Sequence, residues 1–249
     1  MIDTGDTAWV LISAALVFFM TPGLALFYGG MVRSKNVLTT IMQSLCILAM
    51  ISVEFIVIGY TMAFGPDVNG FIGDFSKVGL TGIGMKILEG GTIPELAFVA
   101  FQCMFAALTP ALITGAFAER MKFKAFAILM LLWAVLIYNP MAHWVWGGGF
   151  LANMGFHDYA GSTCIHMVGG ICALIGAAFL GPRIGKFSKD KSGKVVKVNA
   201  FPGHNLVIGA LGVFILWFGW YGFNGAAATD VPTLGSIFLT TTVAPAVAT

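Results

Sequence analysis

The sequence predicts an all-α, polytopic membrane helix bundle. Of its 249 residues, 58% are hydrophobic and only 10% are charged, whereas soluble domains average about 25% charged residues. Glycine, which lets membrane helices approach closely, occurs 32 times. Apolar runs also recur at about the 20-residue length that crosses the hydrocarbon core of a bilayer. Together these observations exclude a water-soluble globular enzyme.

Six apolar runs are long enough to span the membrane. They are predicted at residues 8–30, 40–63, 96–117, 124–142, 159–180 and 205–228. A seventh begins near Leu234 and is still apolar, without a stop signal, at Thr249. We therefore expect residues 1–249 to form one transmembrane domain that is incomplete at its C-terminal end, with the seventh span truncated.

The basic residues predict the orientation of the chain. Eleven of the thirteen lie in the loops after the first, third and fifth spans, and only Lys77 and Lys86 lie on the other side. The eleven are Arg33, Lys35, Arg120, Lys122, Lys124, Arg183, Lys186, Lys189, Lys191, Lys194 and Lys197. Because cytoplasmic loops are enriched in Lys and Arg, the N-terminus is predicted outside the cell.

The net charge and the positions of the cysteines argue against nucleic acid and zinc as ligands. A net charge of +2 is too small to indicate nucleic-acid binding. All four cysteines lie within apolar runs, which is typical of buried thiols and not of a disulfide framework or a zinc site. We expect no cofactor and no metal.

Two ionisable residues near the fifth span are candidate functional groups, because such groups are costly inside a bilayer. Asp158 stands where a helix N-cap is expected and could be only a structural cap. His166 follows eight residues later, roughly 12 Å deeper along a helix and near the middle of the core. It could be a packing residue, but a neutral imidazole at that depth can also hold a small polar solute.

Other polar and aromatic residues are harder to interpret. Trp146 lies in a predicted outer loop over residues 143–150, where it could be an interfacial anchor or could bind a cation over its indole ring. Glu54 lies within the second span. It could pair with a neighbouring helix, border another subunit or face a water pocket, and the sequence does not choose among these.

Several runs together resemble the ammonium transporter (Amt/Rh) family, and its microbial and plant Amt branch more than the Rhesus-type proteins. They occupy residues 22–30, 35–37, 101–106, 115–120, 143–149, 158–166 and 220–225. The resemblance extends over the whole chain, which we expect to cover roughly the N-terminal 60% of a family member. It implies an Amt/Rh-like channel fold, a pore through each subunit and a homotrimer.

The resemblance also implies roles for individual residues. Trp146 and Phe105 would form an outer ammonium recruitment site by cation–π contact. Phe105 and Phe223 would stack as a gate below it. Asp158 would stabilise the recruitment region without touching the ion, and His166 would be the first of two stacked pore histidines.

The sequence departs from the family pattern at two points. Ala227 occupies a position of the recruitment site that is often serine in the family, so one hydrogen-bond acceptor is lost. The second pore histidine belongs to a later helix that this chain does not reach. For that reason we expect the 249 residues alone not to form a working conduit.

The function implied is that of an ammonium transporter or ammonia channel in the cell membrane, serving nitrogen uptake. It would capture NH4+ at the outer aromatic site, deprotonate it near the Phe gate and conduct NH3 past His166, with or without separate transfer of the proton. The expected partners are ammonium or ammonia, the lipid bilayer and further copies of the chain, with no nucleic acid.

Two other classes of function are alternatives. The chain could be an ammonium sensor or scaffold that signals to a PII-type regulatory protein, with the basic loop at 183–197 on its cytoplasmic face. It could also be an intramembrane enzyme using Asp158 and His166. The enzyme is disfavoured, because no nucleophile or metal motif accompanies the pair and eight helical residues separate them.

Overall fold

The computed structural model describes residues 1–228 and 230–248. Within these ranges, seven apolar helical spans are long enough to cross a membrane. They are Thr4–Met31, Ser34–Phe64, Glu95–Phe117, Phe123–Asn153, Ser162–Leu180, Leu206–Gly225 and Val231–Ala248. The predicted multi-pass helix bundle is therefore confirmed. The seventh span begins three residues before the predicted Leu234, and Thr249 lies outside the described residues.

The spans are built from ten α-helices and from short segments of other helix types. The α-helices are α1 (Thr4–Met31), α2 (Val37–Glu54), α3 (Tyr60–Phe64), α4 (Glu95–Phe117), α5 (Phe123–Trp133), α6 (Asn139–Trp146), α7 (Phe150–Asn153), α8 (Val168–Leu180), α9 (Leu206–Gly225) and α10 (Val231–Ala248). Two short 3₁₀ helices occupy Ser34–Asn36 and Val78–Leu80. The loops carry two antiparallel hairpins, β1 (Asp67–Val68) with β2 (Ile72–Gly73) and β3 (Phe187–Lys189) with β4 (Val195–Val198).

Three spans contain a π-helical segment. Phe55–Gly59 joins α2 to α3, Ala134–Tyr138 joins α5 to α6, and Ser162–Met167 precedes α8. Such widened turns are frequent at functional sites, because they redirect side chains without ending the helix. One of these π-helical segments contains His166, so its side chain does not follow the spacing of a regular α-helix.

Helices α1 and α9 pack backbone against backbone. A Cβ atom on Gly212 would lie 2.4 Å from the amide nitrogen of Phe27 and 2.5 Å from the carbonyl oxygen of Gly23. A Cβ atom on Gly30 would lie 2.5 Å from the carbonyl oxygen of Asn205. No larger residue fits at these points, so glycine here serves close helix contact.

The fourth span runs further than the sequence predicts. Helix α6 continues through Trp146, so His143 and Trp146 lie on its last turns and not in an outer loop. The physical reason is that His143 is fully buried with both ring nitrogens paired, Nδ1 to the carbonyl oxygen of Ala63 at 3.1 Å and Nε2 to Asp67 Oδ1 at 2.8 Å. The helix ends only at Gly147.

The fifth span begins later than predicted, at Ser162 and not at residue 159. Gly161 interrupts the chain before it, with a φ of 120° that favours glycine. The eight-residue helical path assumed between Asp158 and His166 is therefore wrong. His166 lies only one turn inside its helix.

The three loops rich in basic residues meet at one end of the bundle, which we call the cytoplasmic end. Glu119 joins them, since its carboxylate lies 3.0 Å from Arg33 Nη2 and 3.3 Å from Arg183 Nη1, and accepts a bond from Asn36 Nδ2 at 2.8 Å. Burial favours the neutral acid, but the hydrogen bonds from Arg33 and Asn36 outweigh it and lower the pKa of Glu119 to about 2. This ion-pair network ties together loops that are far apart in sequence.

Candidate functional site

A cavity of about 250 Å³ lies near the opposite, outer end of the bundle and is lined by the three residues predicted to recruit a cation. Phe105 lies in the middle of α4, Trp146 is the last residue of α6, and Ala227 lies in the turn after α9. The ring centroids of Phe105 and Trp146 are 6.1 Å apart. Two aromatic rings thus border the same small space, an arrangement that can hold a cation.

A second cavity, of about 370 Å³, is lined by His166. Phe223 of α9 lines both cavities, and its ring centroid lies 4.4 Å from that of Phe105. Both phenylalanines are almost completely buried, at 2% and 3% exposure. Phe223 therefore lies where the two cavities adjoin, together with Tyr159 and Ala160, which also line both.

The imidazole of His166 lies on this inner cavity and not in a packed helix seam. It stacks on Phe223 with ring centroids 5.7 Å apart and planes inclined by 25°. Ser162, Asn224 and Thr241 line the same cavity, which gives it hydroxyl and amide groups in an otherwise apolar bundle. The His166 side chain is exposed within the described part of the chain.

Asp158 organises the start of the helix that carries His166. Its buried carboxylate accepts backbone N–H bonds from Gly161, Ser162, Thr163 and Cys164, at 2.7 to 3.0 Å. Burial acts to raise the pKa of Asp158, but these bonds outweigh it and hold the pKa below its usual range. The carboxylate stays ionised although no cation contacts it among the described residues.

Asp158 also reaches the aromatic cavity through its backbone. Its carbonyl oxygen accepts the indole Nε1–H of Trp146 at 2.9 Å. One residue thus orients the ring of Trp146 and caps the helix of His166, while lining neither cavity itself.

Comparison with known sequences gives the family. The sequence profile of the Ammonium Transporter Family matches residues 8–249. The chain belongs to the ammonium transporter family. It is 47% identical to an ammonium transporter of Bacillus subtilis over 227 residues, which are 90% of this chain and 53% of that protein. It is 48% identical to one of Aquifex aeolicus, over 91% of this chain and 51% of that protein.

Solved structures agree with the fold. Saccharomyces cerevisiae Mep2 matches with a TM-score of 0.83 and 31% identity, over 95% of this chain and 52% of that one. A structure named "Sensor Amt Protein" matches with a TM-score of 0.81 and 31% identity, over 92% of this chain and 56% of that one. The chain spans about half the length of these ammonium transporter relatives, a smaller share than the sequence alone suggests.

Among the residues that line these cavities and have no sequence-predicted role are Tyr159 and Gln102. Tyr159 lines both cavities. Gln102 lines the outer cavity, and its buried Oε1 accepts no hydrogen bond within the described residues. Gln102 could have been found from the sequence, because it is a polar residue within an apolar span. Tyr159 could not, since it resembles any interfacial aromatic residue.

The structure gives Glu54 a hydrogen-bond partner on a neighbouring helix. Its Oε1 accepts a bond from Asn139 Nδ2 at 2.8 Å, and both side chains are buried. Glu54 therefore pairs with a neighbouring helix. Neither residue lines the two cavities of the site.

Proposed function

We propose that the protein conducts ammonium or ammonia through the cell membrane, in the order outer aromatic cavity, phenylalanine pair, histidine cavity. The observation that carries the proposal is the position of Phe223, which lines both cavities and contacts Phe105 on one side and His166 on the other. The names of the transporter relatives support ammonium as the solute.

The outer cavity captures the cation. Trp146 and Phe105 present π-faces that attract ammonium by about 0.5–2 kcal/mol, the larger figure applying to desolvated sites. The unpartnered Oε1 of Gln102 accepts an N–H of the ion and supplies an acceptor near Ala227, where the family often has serine. Potassium shares the cation–π attraction but has no N–H to donate.

The phenylalanine pair and the histidine cavity select ammonium. A bare cation in the bilayer centre costs at least about 3 kcal/mol, a cost that ammonium avoids by giving up its proton and that potassium cannot avoid. We assign Phe105 and Phe223 the role of a gate near which the ion gives its proton to a water molecule, and the proton then crosses separately from NH3. The neutral imidazole of His166 then hydrogen-bonds the resulting NH3 beyond the gate.

The assembly we propose is a homotrimer, with a PII-type protein as the regulator at the cytoplasmic end. Ammonium sensing, the alternative function, is not favoured, although one matching structure carries the name "Sensor Amt Protein".

The test uses His166→Ala in the full protein, with ammonium and potassium currents recorded together. We expect the preference for ammonium over potassium to fall at least tenfold, about 1.4 kcal/mol. His157→Ala is the matched control, because His157 is exposed outside both cavities. Unchanged discrimination in His166→Ala would end the proposal, and a wild-type protein that binds ammonium without uptake would favour sensing.

A further inference from the structure

A third cavity lies at the cytoplasmic end, directly after α8, and is separate from the ammonium site. Its volume is about 400 Å³. Three cationic side chains and two phenylalanine rings dominate its walls. The lining residues are Arg120, Pro182, Arg183, Lys186, Phe187 and Phe201.

Positive charge is crowded around this cavity. Arg33, Arg183 and Lys186 all lie over one ring, that of Phe201, with their charged groups 4.3, 5.9 and 5.7 Å from its centroid. Such closely spaced cations repel one another, and an anion bound among them would offset this repulsion. The cation–π contacts with Phe201 do not neutralise the charges of these three side chains.

The protein itself supplies too little negative charge here. Among the described residues, the carboxylate in contact with the cluster is Glu119, and it already accepts bonds from Arg33, Asn36 and Arg183. Burial and the neighbouring Arg183 charge also hold the pKa of Arg120 below its ordinary value. In the part of the chain that the structure describes, one carboxylate, paired with Arg33 and Arg183, thus accompanies a cluster of four cations that also includes Arg120 and Lys186.

Hydrogen-bond donors remain for a ligand. Arg120 donates through its two Nη atoms to carbonyl oxygens at the ends of α4 and α8, including Gly181 at 2.7 Å. Its buried Nε has no acceptor within the described residues. Within the residues that the structure describes, the ammonium group of Lys186 makes one hydrogen bond, to the carbonyl oxygen of Asn199 at 3.3 Å, and so has further protons to donate.

We propose that this cavity binds a phosphate group, on an anionic phospholipid or on a soluble phosphate compound. Arginine and lysine side chains recognise phosphate through charge-assisted hydrogen bonds. The cavity lies where α8 ends, at the membrane boundary, and the cytoplasmic leaflet presents anionic headgroups there. The site is independent of the proposed ammonium passage, because it shares no lining residue with either cavity of that passage.

The neighbouring β3–β4 hairpin offers a built-in control. It carries further lysines, including Lys191 at its exposed tip, outside the cavity. General attraction to an anionic surface would depend on Lys191 as much as on Lys186. Binding in a defined pocket depends on Lys186, which lines it, and not on Lys191.

The experiment measures binding by the purified full protein in two ways. Native mass spectrometry follows a titration with phosphatidylglycerol against one with phosphatidylcholine. Calorimetry follows inorganic phosphate against chloride at equal ionic strength. The variants are Lys186→Ser, the conservative Lys186→Arg and the control Lys191→Ser, with the melting temperature of each recorded to show that it is folded.

We expect Lys186→Ser to weaken binding at least fivefold, Lys186→Arg to restore it and Lys191→Ser to change it less than twofold. Preferential binding of phosphatidylglycerol identifies a lipid headgroup, and binding of inorganic phosphate identifies a soluble source. The proposal is overturned if neither ligand binds better than its reference. It is equally overturned if Lys191→Ser weakens binding as much as Lys186→Ser.

Discussion

Two buried acids lie at opposite ends of this bundle and are stabilised in opposite ways. Asp158, at the outer end, is held by four backbone N–H groups. Glu119, at the cytoplasmic end, is held by the side chains of Arg33, Arg183 and Asn36. Both carboxyl groups have a lowered pKa and are ionised at neutral pH.

The difference lies in where the negative charge acts. The guanidinium groups neutralise Glu119, so its effect is to join three loops. Backbone dipoles stabilise Asp158 without cancelling its charge, which leaves a negative potential beside Trp146 and the outer cavity. A buried acid with amide partners can therefore favour a cation nearby, whereas one with guanidinium partners is a structural link.

The largest expected effect is on ammonium uptake, which should depend on Asp158 and not on Glu119. Asp158→Asn removes the negative charge and places an amide NH2 group, itself a donor, against backbone N–H groups that need an acceptor. We therefore expect ammonium uptake to fall more than tenfold. Glu119→Gln removes one buried charge at the other end and should change uptake by less than twofold. Uptake assays at matched surface expression decide this, and the reverse order of effects would contradict the comparison.

The second expected effect is on the free energy of unfolding, to which the ion pairs of Glu119 contribute. Glu119→Gln leaves Arg33 and Arg183 without an ionised partner, and because both are partly exposed we expect a loss of about 1–3 kcal/mol at pH 7. The stabilisation is fully present above pH 4.5, the ordinary pKa of the acid, and disappears as the pH falls through about 2.

The measurement is the melting temperature of wild type and Glu119→Gln in detergent between pH 7 and pH 3. The difference should be constant down to about pH 4.5 and then shrink. A difference that grows as the medium becomes more acidic would show that the ion pairs do not stabilise the fold.

The third effect concerns the aromatic wall of the outer site. Trp146→Leu removes the indole face, and loss of about 1 kcal/mol of cation–π attraction corresponds to a roughly fivefold higher KM for ammonium. Trp146→Phe keeps a ring but loses the bond to the Asp158 carbonyl oxygen. It should lie between wild type and Trp146→Leu, and equal KM values in all three would exclude ring capture.

The smallest effect concerns the acceptors of the outer cavity. Ala227→Ser adds a hydroxyl to the cavity that Gln102 also lines, and one hydrogen bond of about 0.5–1 kcal/mol lowers KM two- to fivefold. Gln102→Leu should raise KM by a similar factor, and Ala227→Ser should partly restore it. If the double variant is no better than Gln102→Leu, the two positions do not share a ligand.

Much of the architecture was accessible from local patterns. Hydropathy located all seven spans, because the bilayer requires a long apolar run wherever the chain crosses it. The distribution of lysine and arginine grouped three loops at one end, and Glu119 joins those loops. Family resemblance selected Phe105, Trp146, Phe223 and His166, which border one pair of adjoining cavities.

Helix ends were less accessible, because partners distant in sequence decide them. The sequence predicted that the fourth span ends at residue 142 and that His143 lies in an outer loop, but Asp67 and Ala63 satisfy both of its ring nitrogens and the helix continues. It also suggested that Asp158 begins the fifth span directly, whereas Gly161 delays the helix by three residues.

The sequence by itself determined that this chain crosses a membrane, in which order its spans occur and which family it resembles. Those properties follow from composition and from short runs, since bilayer insertion acts on each segment separately. Only the tertiary structure decided that Glu54 pairs with Asn139, that Gln102 keeps an unpartnered oxygen in the outer cavity and that three cations surround Phe201. Each of these depends on helices brought together by packing, and a pairing between distant side chains leaves no local periodicity to read.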